Sequence, residues 1–165
     1  SPLLAIYEVF PVNLEAGVYL SDLPVLEAFV HGALGRDRSY MGTPIQLGGK
    51  TYARGLMTHT EETPEGGFSS VTFALEGPLA RASRFTAHVG VDDSAGQAGS
   101  CVFIVEVRRQ GEWQRLWESP VLRGGEPGMQ VDVDISGADR LRLLTTDAGD
   151  NIHSDHAVWA DAKLQ

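Results

Sequence analysis

The sequence predicts an all-β sandwich of the jelly-roll type. Three observations predict it. Apolar residues recur with period two over short runs, glycine, proline and aspartate separate those runs, and no stretch sustains the spacing of an amphipathic helix. The 19 glycines and 8 prolines supply the turns that such a chain needs. At 165 residues the chain is expected to form one domain around one substantial core.

The elements can be justified in order. Leu3 to Leu20 is expected to hold one or two strands, and Leu23 to Leu34 a possible helical turn. Val71–Leu75 alternates cleanly and stops at Glu76-Gly-Pro78. Arg84–Val91 puts Phe85, Ala87, Val89 and Val91 on one face. Cys101–Val107 is apolar on both faces, which predicts a central strand. Arg108–Glu112 then turns the chain into Trp113–Ser119, completing a hairpin. In Met129–Ile135 the inward residues are Met129, Val131, Val133 and Ile135. Ser136–Asp139 turns into Arg140–Thr145, and His156–Leu164 is the last strand. No repeat, low-complexity tract or long linker interrupts the chain. Long loops at one end of such a sandwich are where function is expected.

Composition narrows the function. The formal net charge is -9, a sign that repels phosphate backbones and argues against nucleic-acid binding. The single cysteine, Cys101, cannot form an internal disulfide and reads as a small core residue. The apolar runs are far too short for a transmembrane segment. A chain that begins Ser1-Pro2 is expected to have lost a leader or to come from a larger parent protein, which fits a secreted or cell-envelope location.

Several motifs together resemble the NPCBM family, which corresponds to carbohydrate-binding module family 51. They are Tyr19-Leu-Ser-Asp-Leu23, Gly42-Thr-Pro-Ile-Gln-Leu-Gly-Gly49, Tyr52-Ala-Arg-Gly-Leu-Met-Thr-His59 and Phe85-Thr-Ala-His-Val-Gly-Val-Asp-Asp93. Gly99-Ser-Cys-Val-Phe103, Val131-Asp-Val-Asp-Ile-Ser-Gly137, Leu141-Arg-Leu143 and Asp155-His-Ala-Val-Trp-Ala-Asp-Ala-Lys-Leu164 continue the series. The resemblance spans residues 19–164 and leaves 1–18 as an N-terminal extension. It implies a galactose-binding-like β-sandwich, often with a structural calcium, that accompanies catalytic modules in secreted glycoside hydrolases and binds galactose-containing glycans. The segment 60–67 looks longer than the family's usual connection.

The densest polar feature is Asp147–Asp161, with four carboxylates, two histidines and a tryptophan in fifteen residues. Three readings are open. As a calcium loop, Asp147, Asp150 and Asp155 would supply oxygen ligands. As a sugar site, Asp155 and His156 would supply hydrogen bonds and Trp159 a stacking face. As a copper or zinc site, His153 and His156 would join His59 or His88. A mutual hydrogen bond that locks the loop is the alternative for Asp155 and His156, and core packing is the alternative for Trp159.

Other candidates lie elsewhere in the chain. Asp92 and Asp93 can accept from sugar hydroxyls, ligate a cation or cap the following loop. Adjacent anions repel unless a donor or cation lies between them, so a purely structural role for both is not expected. His59 is expected near a bound sugar, whereas Glu61, Glu62 and Glu65 read as a solvated acidic face. Asp37 and Asp161 are calcium candidates by analogy of fold. Trp117 is expected in the core and Trp113 at the surface.

The function expected is a non-catalytic module for galactose-type or related neutral glycans, with a structural calcium. The alternatives are a cell-envelope metalloprotein, redox-active in the manner of a superoxide dismutase, and a structural domain of a surface assembly.

Overall fold

The computed structural model describes residues 12–165, so of the Leu3–Leu20 stretch expected to hold one or two strands, residues 3–11 lie outside the described residues and Val18–Tyr19 is a strand. Two antiparallel sheets face each other. The first has the order β12 (Met129–Asp134), β8 (Arg84–Val91), β14 (Ala157–Leu164), β6 (Gly55–Met57) and β3 (Gly35–Arg36), with β1 (Val18–Tyr19) added to β14. The second has the order β10 (Glu112–Glu118), β9 (Ser100–Arg109), β13 (Arg140–Thr146), β7 (Phe68–Ala74) and β2 (Glu27–Phe29). In that sheet β11 (Leu122–Arg123) is added to β9. A separate hairpin pairs β4 (Ile45–Leu47) with β5 (Lys50–Tyr52).

The period-two runs fill the space between the sheets. Phe85, Ala87, Val89 and Val91 of β8 are buried, as are Cys101, Phe103, Val105 and Val107 of β9. Burial also pushes the Cys101 thiol well above its usual range, which leaves it inert. Val131 is fully buried, while Met129 and Val133 pack on the core only in part, because β12 is an edge strand. Trp117 also packs partly on the core. Trp113 is half-buried, with the Arg142 guanidinium 3.7 Å from its ring centre.

β14 is apolar on both faces for a structural reason. Trp159 points between the sheets, 0% exposed, with the Phe103 ring 5.3 Å away edge-on. Val158 and Ala160 point outward and, with Met57, form a second small core against Ile45 and Leu47 of the hairpin. The strand is then interrupted by a bulge: its register shifts between Ala160 and Lys163, and Asp161 takes φ 53.

No helix forms over Leu23–Leu34. Glu27–Phe29 is instead an edge strand, with Glu27 opposite Thr72 and Phe29 opposite Ser70. Pro24 and Gly32 bracket a stretch too short for helix nucleation, and pairing with β7 supplies the hydrogen bonds that a helix would have made.

The β4–β5 hairpin is held by carboxylates. Its turn, Gly48-Gly49, has both residues at positive φ, as a two-residue type I′ turn requires. Asp93 accepts from the amides of Gly48 and Gly49 at 2.9 and 2.8 Å, and Asp92 from that of Gln46 at 2.9 Å. Replacing Asp93 with alanine is therefore expected to destabilise the domain by about 1–2 kcal/mol and to speed amide exchange at Gly48 and Gly49. Hydrogen-exchange NMR with a denaturant titration checks both.

Candidate functional site

Antiparallel alternation brings four connections to one end of the sandwich. They follow β2, β6, β8 and β13 and span 30–34, 58–67, 92–99 and 147–156. The polar residues expected to be functional, apart from Asp37, His88 and Asp161, belong to this rim.

Aspartates fix the rim from within. Asp155, 0% exposed, accepts from the Ser100 amide at 3.1 Å and the Thr60 hydroxyl at 2.8 Å, so one carboxylate joins three loops. Asp92 accepts from the Ser94 amide at 2.9 Å besides Gln46. Asp147 accepts from Gly67 and Gly149 at 2.9 and 2.8 Å, and Asp150 takes the Ser100 hydroxyl. Gly99 allows the closest approach. At φ 85 it lies so near the Ser154 carbonyl that a Cβ would meet that oxygen at 2.2 Å.

Asp92 and Asp93 are thus both tethers. Main-chain amides are donors that offset their mutual repulsion. The mutual hydrogen bond expected between Asp155 and His156 is not formed: Asp155 is paired with Ser100 and Thr60, and His156 with Ser94.

On this frame lies a cluster of rings. Tyr40, 38% exposed, stands 4.7 Å from the His59 ring and 5.0 Å from the His156 ring, centre to centre. His59 and His156 are 5.6 Å apart, and His31 is 5.1 Å from His59. His59 Nδ1 donates to the Thr60 carbonyl at 2.8 Å, a bond that requires hydrogen on Nδ1 and leaves Nε2 as an acceptor. His156 Nδ1 meets the Ser94 hydroxyl at 3.0 Å. Depressions of about 340 Å³ flank the cluster: Tyr40 and Met41 line one, and Ser94 lines the other with Asp92 and Asp93.

Burial sets the charge of these groups. It lowers the pKa of His59 and of His156, against a smaller opposing pull from the Thr60 carbonyl and Asp92 respectively. Both imidazoles are therefore neutral near pH 7. Burial raises Asp155 to about 6, outweighing the Ser100 and Thr60 hydrogen bonds. Glu61 is lowered by the Glu62 amide and then by His31, whose Nδ1 lies 3.2 Å from its carboxylate. Glu61 is thus a member of the rim rather than part of a featureless acidic face.

Several expected site residues lie elsewhere. Trp159 has no exposed face to offer a ligand, because it fills the core and donates to Thr58 Oγ1 at 3.2 Å. His153 is exposed and outside the ring cluster, and His88 is on β8 beside Tyr52. Among the described residues no three His, Cys, Asp or Glu side chains are arranged to hold a metal ion.

Of the residues nominated for calcium, Asp37, Asp147, Asp150 and Asp155 are engaged by donors of the protein itself. Asp37 accepts from the Gly55 amide at 3.0 Å and faces Arg54 at 3.3 Å, while Arg54 also pairs with Asp22 and covers the Tyr19 ring. A guanidinium thus already supplies the positive charge there. Asp161 is the β14 bulge residue, and Asp147, Asp150 and Asp155 are engaged by donors within the rim. The copper or zinc grouping of His59, His153 and His156 fails because His153 stays out in solvent.

The sequence reading missed Tyr40, His31 and Ser94. The available signal was an aromatic residue within Gly35-Arg-Asp-Arg-Ser-Tyr-Met-Gly42, a polar loop with no reason to expose one.

The NPCBM/NEW2 domain family matches residues 16–165. Alpha-1,3-galactosidase B of Akkermansia muciniphila is 32% identical over 127 residues, covering 76% of this chain and 14% of that protein. The chain therefore spans a small part of that relative's length. The CBM51 of Clostridium perfringens GH95, solved with methyl-galactose, superposes with a TM-score of 0.77 at 33% identity, covering 90% of this chain and 99% of the other. CBM51-2 of Clostridium perfringens ZmpB, solved with GlcNAc and INT domains, gives 0.75 at 29% identity, covering 90% and 31%. The chain belongs to the NPCBM/NEW2 family.

Two outcomes are expected at Asp155. Asp155→Ala leaves buried donors on Ser100 and Thr60 unmatched, and should cost about 3 kcal/mol in denaturant unfolding. Asp155→Asn keeps an acceptor and should be far milder. The folded state holds the Asp155 proton up to about pH 6, against a model-peptide value of 3.8. Its contribution to stability is thus most favourable at low pH and is lost as pH rises to about 6. Wild type should lose about 2 kcal/mol relative to Asp155→Asn between pH 4 and pH 7. Comparing the two proteins isolates this change from the buried histidines, whose depressed pKa values work in the opposite direction.

Proposed function

We propose that the chain is a non-catalytic carbohydrate-binding module that holds a galactose-type pyranoside at the cluster of Tyr40, His59 and His156. The observation that carries this reading is a neutral imidazole, His59, with Nδ1 committed to the Thr60 carbonyl and its ring 4.7 Å, centre to centre, from a half-open tyrosine ring. A sugar asks for that combination: directional acceptors and donors for hydroxyls, and an aromatic surface for its C–H face. The methyl-galactose complex of a CBM51 domain 33% identical to this chain supports it.

Several physical features are consistent with binding rather than hydrolysis. Asp92, Asp93 and Asp155, the carboxylates that could be nominated as an acid and nucleophile, are occupied by main-chain amides. A net charge of -9 is compatible with a neutral glycan. Affinity for one sugar would be modest, because each hydroxyl contact displaces water from both partners. Placement beside catalytic modules of a secreted glycan-processing protein would add avidity. No described helix is long and apolar enough to cross a membrane.

The test is calorimetric titration with methyl-galactoside and, separately, N-acetylglucosamine. Saturable binding of the galactoside is expected, and His59→Ala or Tyr40→Ala should weaken it at least ten-fold while the circular dichroism spectrum is retained. A folded wild-type domain that binds neither sugar would contradict the proposal. Binding should also weaken as pH falls below 6.5, because protonation of His59 removes the acceptor at Nε2. Burial places that loss on the acid side of the ordinary imidazole value.

A further inference from the structure

Phe29 and Phe68 are 41% and 36% exposed, with rings 4.8 Å apart and tilted by 32°. Two aromatic rings left together in water usually mark a binding surface. Their position gives that surface a direction. Phe29 belongs to β2 and faces outward, since the next residue, Val30, packs on the core. Phe68 is bridged to Glu61 by two backbone hydrogen bonds of 2.9 and 3.0 Å, so these two side chains leave the same face. The Glu61 carboxylate in turn meets His31, which adjoins His59. The phenylalanine pair, Glu61, His31 and the ring cluster therefore form one continuous strip.

We infer that the strip is an extended glycan site in which Phe29 and Phe68 stack on a second sugar, one linkage beyond the galactose-type residue held at Tyr40, His59 and His156. This rests on the function proposed above. Glu61 lies between the two positions and offers acceptors to hydroxyls of the linkage region. Charge chooses the class of glycan. Glu27, Glu61, Glu62 and Glu65 surround the strip with acidic groups, so the occupant is a neutral oligosaccharide rather than a sialylated or sulfated one.

The test compares methyl-galactoside with a neutral galactose-terminated trisaccharide by calorimetry. Wild type should bind the trisaccharide about three- to ten-fold more tightly, the gain of one aromatic contact. In Phe29→Ala and Phe68→Ala that ratio should fall toward one, and Phe29→Trp should preserve or raise it. Equal affinity of wild type for both ligands, or an unchanged ratio in the alanine variants, would overturn the second subsite while leaving the first intact. An unchanged ratio is also the result expected if the pair instead docks another protein. Failure of wild type to bind methyl-galactoside at all would overturn both.

Discussion

The arrangement depends on one buried carboxylate. Asp155 holds the segment after β6 through Thr60 and the start of β9 through Ser100, while its own loop leads into the central strand β14. Three connections that belong to different sheets become one rigid body. Burial makes this expensive, which the elevated pKa of about 6 records. The cost is tolerated because an unmatched Ser100 amide and Thr60 hydroxyl would be worse. Asp92, Asp93 and Asp147 repeat the device on a smaller scale, each receiving two main-chain amides. The aspartates of the rim are therefore internal scaffolding, and the function proposed above leaves imidazole, phenol and phenyl rings, with the Glu61 carboxylate, to meet a guest.

That division has an electrostatic consequence. Main-chain amides hold the rim's aspartate carboxylates in place, while burial keeps His59 and His156 uncharged. A rim of this kind offers directional hydrogen bonding with little fixed positive charge, which suits hydroxyl-rich neutral molecules. It also explains how adjacent Asp92 and Asp93 coexist: four N–H dipoles point at them.

Much of the fold was legible because strand periodicity is a local signal. Arg84–Val91 coincides with β8, and Cys101–Val107 lies within β9 between β10 and β13, the central position that its two apolar faces predicted. Leu23–Leu34 was misread because an edge strand of three residues shows little alternation, and its pairing with β7 joins positions far apart in sequence. At the rim, the sequence left open whether the carboxylates support the loops or face a ligand, and the structure gives Asp92, Asp93 and Asp155 hydrogen-bond donors of the protein itself. A carboxylate that receives backbone amides looks the same in sequence as one that faces a sugar. Trp159 was open to both readings because a hairpin 110 residues earlier covers the outer face of its strand, leaving the inner face for the core. Tyr40 and His31 approach His59 only through tertiary packing, and no local pattern announces it.

The most direct measurement is nitrogen-15 NMR of the histidine side chains during titration with methyl-galactoside at pH 7. The account predicts that the Nε2 resonances of His59 and His156 shift progressively, with His88 and His153 unchanged. Saturable shifts confined to His88, or to the surface of β9 and β10, would put the sugar elsewhere and contradict the account.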